Sequence, residues 1–312
     1  MKENSVIVIS GPTAAGKTAV AVAVAKRVGG IIVSSDSMQI YKNMSVGTAK
    51  PTSEELDGIE CRLIDFVEPD GEYNVFKFKE DAEREISDIH SLGCVPVICG
   101  GTGLYISVLT SNTQLSVDSN DEVLRRELKA RAEEVGSVEL HKELSAVDSI
   151  AAKKIHPNDT KRIIRALEIY KTTGKTQSEW DAQSEKAEGK YPLYRALVTC
   201  EDREFLYQRI NRRVDVMMKS GLLDEARYIY DNYDREKISA IGYPELFEYF
   251  DGNTTLDEAV MRIKQYSRNY AKRQLTWFRR GEYEKICFTD KESVDNIADE
   301  IAAGFSAFKS GF

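Results

Sequence analysis

The chain opens on an apolar run, Val6-Ile7-Val8-Ile9-Ser10, broken by Gly11-Pro12. A run that short, rich in β-branched residues and ended by Gly and Pro, predicts a buried strand rather than a leader segment. Ala19 to Val28 is rich in Ala and Val, carries Lys26-Arg27 near its end and meets Gly29-Gly30, which predicts a helix stopped by glycine. Ile31-Ile32-Val33 predicts a second buried strand leading to Ser34-Ser35-Asp36, and Leu63 to Val67 a third. Val75 to Leu92 places Phe78, Ala82, Ile86 and Ile89 at helical spacing before Gly93. Val95 to Cys99 then predicts a fourth strand, running into Gly100-Gly101-Thr102-Gly103. Unbroken apolar strands alternating with helices imply an α/β fold with a parallel sheet covered on both faces. Such a sheet binds its ligands at the carboxyl ends of its strands.

After Leu109 the texture changes. Residues 118–190 carry many charges, few β-branched clusters and i, i+3, i+4 apolar spacing (Leu124, Leu128, Ala132; Ile163, Leu167, Tyr170), the pattern of a helical insertion. Tyr194 to Cys200 restores a strand-like run, so the chain should rejoin the sheet there; the rest reads as helical, over Glu204 to Tyr230 and Leu256 to Phe278. The expected organisation is therefore a catalytic core in two parts, 1–117 and 191–312, the second with basic C-terminal helices, around an insertion at 118–190. A length of 312 residues suits two domains, or one with a large insertion.

Composition narrows the class. With 42% hydrophobic and 30% charged residues the chain reads as globular. A mean hydropathy of -0.40 and the absence of any apolar run near eighteen residues predict no membrane span, hence a soluble, cytoplasmic protein. Five cysteines without a C-x-x-C pair and three dispersed histidines predict neither a disulfide frame nor a His-built metal centre. A net charge of -8 argues against a nucleic-acid partner, but its distribution does not. Between Ala259 and Gly281 there are seven Lys/Arg and no Asp or Glu. This stripe (Arg262, Lys264, Arg268, Lys272, Arg273, Arg279, Arg280) is interleaved with Tyr266, Tyr270, Trp277 and Phe278, which suits phosphates with bases to stack, although the aromatics alone are more often core.

The chemistry sits at the predicted strand ends. Gly11-Pro12-Thr13-Ala14-Ala15-Gly16-Lys17-Thr18 matches the phosphate-binding loop G-x-x-x-x-G-K-[ST], with a strand before it and a helix after. Its backbone N–H groups would cradle phosphate, Lys17 would reach the terminal phosphates, and the Thr18 hydroxyl would hold Mg²⁺. The motif specifies phosphate or diphosphate and leaves ATP open. Asp36, at the end of the second strand, reads as a Mg²⁺ ligand or general base, or equally as an Asx turn or helix cap. Gln39 carries an amide able to meet a base edge. Thr102 offers a hydroxyl among three glycines, or merely caps a helix. Asn158 or Asp159 should cap a helix on which Arg162 and Arg165 face one way beside Lys161; that face could meet an anionic strand or simply be solvated, as could Arg209, Arg212 and Arg213.

Taken in order, these blocks resemble the tRNA dimethylallyltransferases (tRNA isopentenyltransferases). The likeness rests on the Gly-Pro-Thr-Ala opening of the loop, Asp36 to Tyr41, Gly47-Thr48-Ala49-Lys50-Pro51, Gly100 to Tyr105, His156-Pro157-Asn158-Asp159 with Arg162 and Arg165, Gly242-Tyr243, and Tyr270 to Phe278. The resemblance implies a P-loop NTPase-like core with a helical insertion that grips the tRNA anticodon stem-loop. It also implies transfer of a dimethylallyl group from dimethylallyl diphosphate to N6 of the adenosine next to the anticodon, in tRNAs that read U-starting codons. Carried over by position, Gly11 to Thr18 would bind the diphosphate, Asp36 would be the base, Thr102 would hold substrate in the channel and Arg213 would meet the diphosphate. Asp36, Ser37, Met38, Gln39, Thr102, Arg125, Lys161, Arg162, Ile163, Ile164, Arg165, Ser239, Ala240, Ile241, Gly242, Tyr243, Pro244, Lys272 and Arg273 would touch tRNA. The chain departs from the family at Cys61-Arg62, where a His pair is common, and at Pro244, where a basic residue is usual. No Cys/His cluster follows the basic stripe, so the bacterial type, acting as a monomer with Mg²⁺, is expected. A small-molecule kinase and a nucleotide-dependent RNA-binding module share the loop and are the competing readings.

Overall fold

The computed structural model describes residues 4–110, 122–185, 189–288 and 293–311. The chain forms two compact units, Met1–Ile106 with Tyr191–Phe312, and Ser107–Lys190.

The first unit is built on β1 (Val6–Ser10), whose five residues are all buried. Ile7 and Ile9 point to one face of the sheet, where they pack with Val20 and Val24 of α1 (Lys17–Val28). Gly16 stands before α1 in the left-handed region, at φ 86°, and Gly29 ends it at φ 63°, behind Lys26 and Arg27 in the last turn. The chain continues through β2 (Gly30–Ser34), the short helices α2 (Ser45–Thr48) and α3 (Ser53–Leu56), β3 (Cys61–Arg62), α4 (Val75–Ser91), β4 (Val95–Gly100) and α5 (Gly103–Thr110). It returns at β5 (Leu193–Thr199) after the second unit. The second unit holds α6 (Glu122–Val135), α7 (Ser137–Val147), α8 (Ser149–Lys154), α9 (Thr160–Thr173) and α10 (Gln177–Glu185). After β5 come α11 (Arg203–Lys219), α12 (Leu222–Asn232), α13 (Tyr243–Phe250), α14 (Leu256–Phe278), β6 (Glu284–Cys287) and α15 (Val294–Ser310).

The sheet is six-stranded in the order β3-β2-β4-β1-β5-β6, and every pairing is parallel. Ser10 lies opposite Gly100 and Ser34 opposite Cys99, so β1, β2 and β4 end level. Parallel strands that end together put their outgoing loops on one edge, and this places 11–16, 35–39 and 101–102 side by side.

The structure departs from the predicted elements in physical ways. Leu63 to Val67 is not a strand: Leu63 and Asp65 sit at φ 56° and 60°, which breaks the extended run, and Val67 makes only a single bridge to Tyr41. The helix predicted over Glu204 to Tyr230 is two, split at Gly221 (φ 99°). The remainder is not wholly helical, because β6 extends the sheet beside β5. β6 offers only four residues, two of them exposed, too weak a pattern to read. The start of the insertion read at 118 lies outside the described residues.

A helical cluster beside the sheet is organised around Tyr243, which is fully buried. Its hydroxyl donates to Glu225 at 2.7 Å, and the same carboxylate accepts the N–H groups of Ser45, Val46 and Gly47 at 2.7–2.9 Å. Gly47 must be glycine, since a Cβ there would lie 2.6 Å from the Tyr243 hydroxyl oxygen. The second unit has its own core of Leu128, Leu140, Leu144, Ile163, Ile164 and Leu167. Asp148 caps α8 through the Ala151 N–H and also accepts from the N–H and hydroxyl of Ser178. Among the described residues no helix is long and apolar enough to cross a membrane. Replacing Gly47 with Ala should force Tyr243 aside and lower stability by about 1–3 kcal/mol, read as a lower urea midpoint at unchanged slope.

Candidate active site

The level strand ends open on a cavity of about 270 Å³ lined by Thr13, Lys17 and Thr18 of the phosphate loop, Asp36 to Gln39, Gly47-Thr48, Cys99-Gly100 and the inner faces of α11 and α14. The two helices contribute at helical spacing, Ile210, Arg213, Val214 and Met217 from α11, and Ile263, Ser267, Tyr270 and Gln274 from α14. The lining is mixed: Lys17, Arg213 and Asp36 are charged, Ser37, Thr48, Ser239 and Ser267 polar, and Leu222, Ala240 and Ile241 add apolar wall.

The phosphate loop is shaped by Gly16 and by Ala14, a non-glycine at φ 64°. Lys17 Nζ donates to the Pro12 carbonyl at 2.8 Å. Burial, with the nearby Arg213 adding, lowers the Lys17 ammonium to about 8, against Cys99 and Asp36, which raise it. Arg213, from α11, donates to the Thr13 hydroxyl at 3.1 Å, and its guanidinium is likewise held below its ordinary value by burial. One turn earlier, Arg209 donates to the Ala14 carbonyl at 2.9 Å. Two of the three arginines that the sequence left as a possible solvated face thus reach the loop, and Arg212 is exposed.

Asp36 makes an Asx turn and also faces the cavity. Its Oδ1 accepts the Met38 N–H at 2.9 Å, an Asx turn, while the side chain lines the cavity and no described residue bonds Oδ2. Thr102 precedes α5, and its carbonyl accepts from the Ile106 N–H. Its hydroxyl crosses instead to the Asp36 loop, accepting the Ser37 N–H at 3.0 Å and donating to Ser37 Oγ at 3.2 Å. Gln39 turns its amide to the carbonyls of Thr48 and Ala49. Cys99 forms part of the floor, its thiol pushed up to about 11 by burial and so protonated.

Two site residues were hidden in the aromatic-basic stripe. Gln274 accepts the Thr13 N–H at 2.8 Å and donates to the Gly101 carbonyl at 2.9 Å. Tyr270 lines the same cavity, and burial, with the Asp36 charge adding, raises its hydroxyl to about 12. The signal that could have found them is the one-face spacing Ile263, Ser267, Tyr270, Gln274 (i, i+4, i+7, i+11), which runs against the charges in the same helix.

A model of the IPP transferase family matches residues 39–281. The chain belongs to that family. It is 49% identical over 280 residues, 88% of each chain, to the tRNA dimethylallyltransferase of Geobacillus kaustophilus, and 46% identical over 281 residues to that of Bacillus subtilis, covering 89% of this chain and 88% of that one. Among solved structures, the full-length tRNA isopentenylpyrophosphate transferase from Bacillus halodurans superposes with a TM-score of 0.70 at 40% identity, over 99% of both chains. A eukaryotic dimethylallyltransferase acting on tRNA gives 0.84 at 29% identity, over 98% of this chain and 80% of that one. The all-parallel sheet and the G-x-x-x-x-G-K-T loop at its edge give this family member a P-loop NTPase-like core.

The remaining sequence candidates fall into distinct surroundings. Ser239 is exposed at the cavity wall beside Ala240 and Ile241, Gly242 and Tyr243 are buried, and Pro244 occupies the first turn of α13, where no intrahelical N–H is required. Lys272 and Arg273 are exposed on α14, and Arg273 also lines the cavity. Elsewhere in the stripe Lys264 pairs with Asp215, Arg268 donates to Asn211, and Phe278 is core. In the second unit Lys161 and Arg162 are exposed on α9, capped by Asp159, whereas Ile163 and Ile164 are core. Arg125 and Arg165 both pair with Glu168, a fully buried carboxylate, at 3.0 Å.

A free-enzyme Lys17 near 8 loses its charge as pH rises through that value, so the attraction for a diphosphate should weaken across the same window. Pyrophosphate affinity of the wild type and of Lys17→Met, measured calorimetrically from about pH 7 to about pH 9.5, should show the wild-type advantage shrinking; a constant advantage would mean that Lys17 does not titrate there.

Proposed function

We propose that this IPP transferase family member transfers a dimethylallyl group from dimethylallyl diphosphate to N6 of adenosine 37 of tRNA, in the cytoplasm and as a monomer. The observation that carries the reading is the convergence of Lys17, Thr18 and Arg213 with the Asp36 carboxylate on one cavity.

An exocyclic adenine amine is a weak nucleophile, because its lone pair is delocalised into the ring. Asp36 Oδ2 takes the N6 proton as nitrogen forms its bond to C1 of the allyl group. The C1–O bond breaks at the same centre, and its electron pair leaves with the diphosphate. The loop N–H groups, Lys17 and Arg213 stabilise that charge, and the Lys17 proton is retained more firmly once the diphosphate is bound. Ile210, Val214 and Met217 of α11 and Ile263 of α14 would limit water on their side of the cavity, where it would otherwise capture an allylic cation-like centre. The adenine enters by leaving its stack in the anticodon loop.

The residues present fit a Mg²⁺ ion. The Thr18 hydroxyl and the Asp36 carboxylate are hard oxygen donors on one cavity, and among the described residues no cluster of three His, Cys, Asp or Glu could hold a metal by itself. Thr18 would hold the ion together with diphosphate oxygens, and the ion would add positive charge at the leaving group.

The RNA would be held by cations on both units: the exposed Lys161 and Arg162 and the half-exposed Arg165 and Arg125 on the insertion, and the exposed Lys272 and Arg273 on α14. Ser37 to Gln39 and Ser239 to Pro244 would line the entry of the base, the buried Ile163, Ile164 and Tyr243 serving these segments as their packed underside.

The decisive assay supplies labelled dimethylallyl diphosphate or ATP, with and without tRNA. Label should enter tRNA from the allyl donor alone; tRNA-stimulated ATP hydrolysis without transfer would replace the transferase with an NTPase. Asp36→Asn keeps an oxygen for the Met38 N–H and removes the base, so turnover should fall about a hundredfold or more while tRNA binding persists, and near-normal turnover would remove Asp36 from its role. Affinity for tRNA should drop steeply with salt despite the net charge of -8, because counterion release depends on phosphates neutralised locally. Arg162→Gln should flatten the slope of log affinity against log salt by about one; an unaltered slope would make that face merely solvated.

A further inference from the structure

We propose that Gln274 is a positioning residue of the transfer reaction, its amide tying the phosphate loop, through Gly101 and Thr102, to the loop that carries Asp36. This rests on the transferase reading of the same cavity and concerns a residue to which that reading gives no part.

The sheet order creates the need for such a tie. β4 lies between β1 and β2 and pairs with both. The loop after β1 places the allyl carbon through its diphosphate, and the loop after β2 places the base. Their ladders with β4 end at Ser10 and Ser34, so beyond those residues the spacing of the two loops is set by side chains that meet the segment following β4. On one side of that segment the Thr102 hydroxyl accepts the N–H of Ser37, the neighbour of Asp36, at 3.0 Å. On the other side Gln274 makes the link. Its Oε1 accepts the Thr13 N–H at 2.8 Å, and its Nε2 donates to the Gly101 carbonyl at 2.9 Å. The two bonds run in opposite senses, and a primary amide meets that demand because it carries an acceptor and a donor side by side; a carboxylate has no proton to give.

Gln274 is buried, and each loop has anchors of its own besides this bridge. Arg213 donates to the Thr13 hydroxyl, Arg209 donates to the Ala14 carbonyl, and Asp36 Oδ1 accepts the Met38 N–H. Losing the Gln274 amide therefore leaves the cations of the cradle and the Asx turn in place and loosens the distance between them. Donor binding draws on the cradle. The transfer step draws on the distance, where a misplacement of about 1 Å can cost on the order of a hundredfold in rate.

Gln274→Met keeps the length of the side chain and removes both bonds. Its kcat should fall about tenfold or more, with the KM for dimethylallyl diphosphate within about threefold of the wild type. Amide exchange should quicken about tenfold or more at Ser37, which Gln274 reaches only through Thr102, while the amides of β1 and β4 keep their protection. Gln274→Glu, whose carboxylate accepts from Thr13 but has no proton for Gly101, should lose kcat likewise and stands in if the Met variant folds poorly. A kcat within about twofold of wild type, or unchanged exchange at Ser37, would overturn the proposal. So would protection lost throughout β1 and β4, which would assign Gln274 to stability alone. A wild-type chain that moves no label from the allyl donor to tRNA would sink the transferase reading and this inference with it, whereas an active wild type with an unimpaired Gln274→Met sinks the inference alone.

Discussion

The site depends on one side-chain amide. Gln274 joins the Thr13 N–H of the phosphate loop to the Gly101 carbonyl beyond β4, two loops that leave neighbouring strands and share no ladder. Parallel strands bring such loops together at one edge but do not fix them, because the ladder hydrogen bonds stop at the strand ends. The bridge also explains Gly101, where a Cβ would sit 2.2 Å from Gln274 Nε2. Since Gln274 belongs to α14, more than 170 residues from either loop, the site forms only when α14 has docked.

Electrostatics at this edge is a matter of two expensive cations. Lys17 and Arg213 are both shifted toward neutrality by burial, and Asp36 is the nearby anion that offsets this. A diphosphate would relieve the same cost much more strongly, so the unliganded pocket is biased toward an anion before any substrate-specific contact is made. The net charge of the chain says nothing of this. An acidic protein can hold a strongly electropositive pocket because the field there comes from groups within a few ångströms, with little solvent between them.

The second unit handles its cations differently. Glu168 has no exposed surface and pairs with Arg125 and Arg165, whose side chains remain 42% and 34% exposed. A buried carboxylate held by two guanidiniums orders long side chains that would otherwise lose considerable rotamer freedom on meeting a ligand. Two presented, half-exposed arginines are better suited to a phosphate backbone than two mobile ones, and the arrangement leaves Lys161 and Arg162 as the more exposed positions of the same surface.

The sequence by itself determined the strands β1, β2, β4 and β5, the helices α1, α4 and α14, and the phosphate loop. In each of these the signal is local: an unbroken apolar run, a 3.6-residue period or a fixed glycine spacing. It also placed Asp36 and Thr102 at strand ends, but left their side chains undecided between turn chemistry and catalysis. Tertiary structure showed that the Asx turn uses only Oδ1 of Asp36, and that the Thr102 hydroxyl bonds to Ser37 and not to its own helix. It turned Arg209 and Arg213 inward and Arg212 outward, although all three occupy one basic stretch. It broke the predicted strand after Arg62 and added β6 at the far edge. It also turned Tyr270 out of a charged stripe into the cavity and set Gln274 against two loops distant in sequence. The reason is the same in every case: a local pattern specifies which backbone conformation is cheap, whereas the partner of a polar side chain depends on what the rest of the chain brings within three ångströms of it.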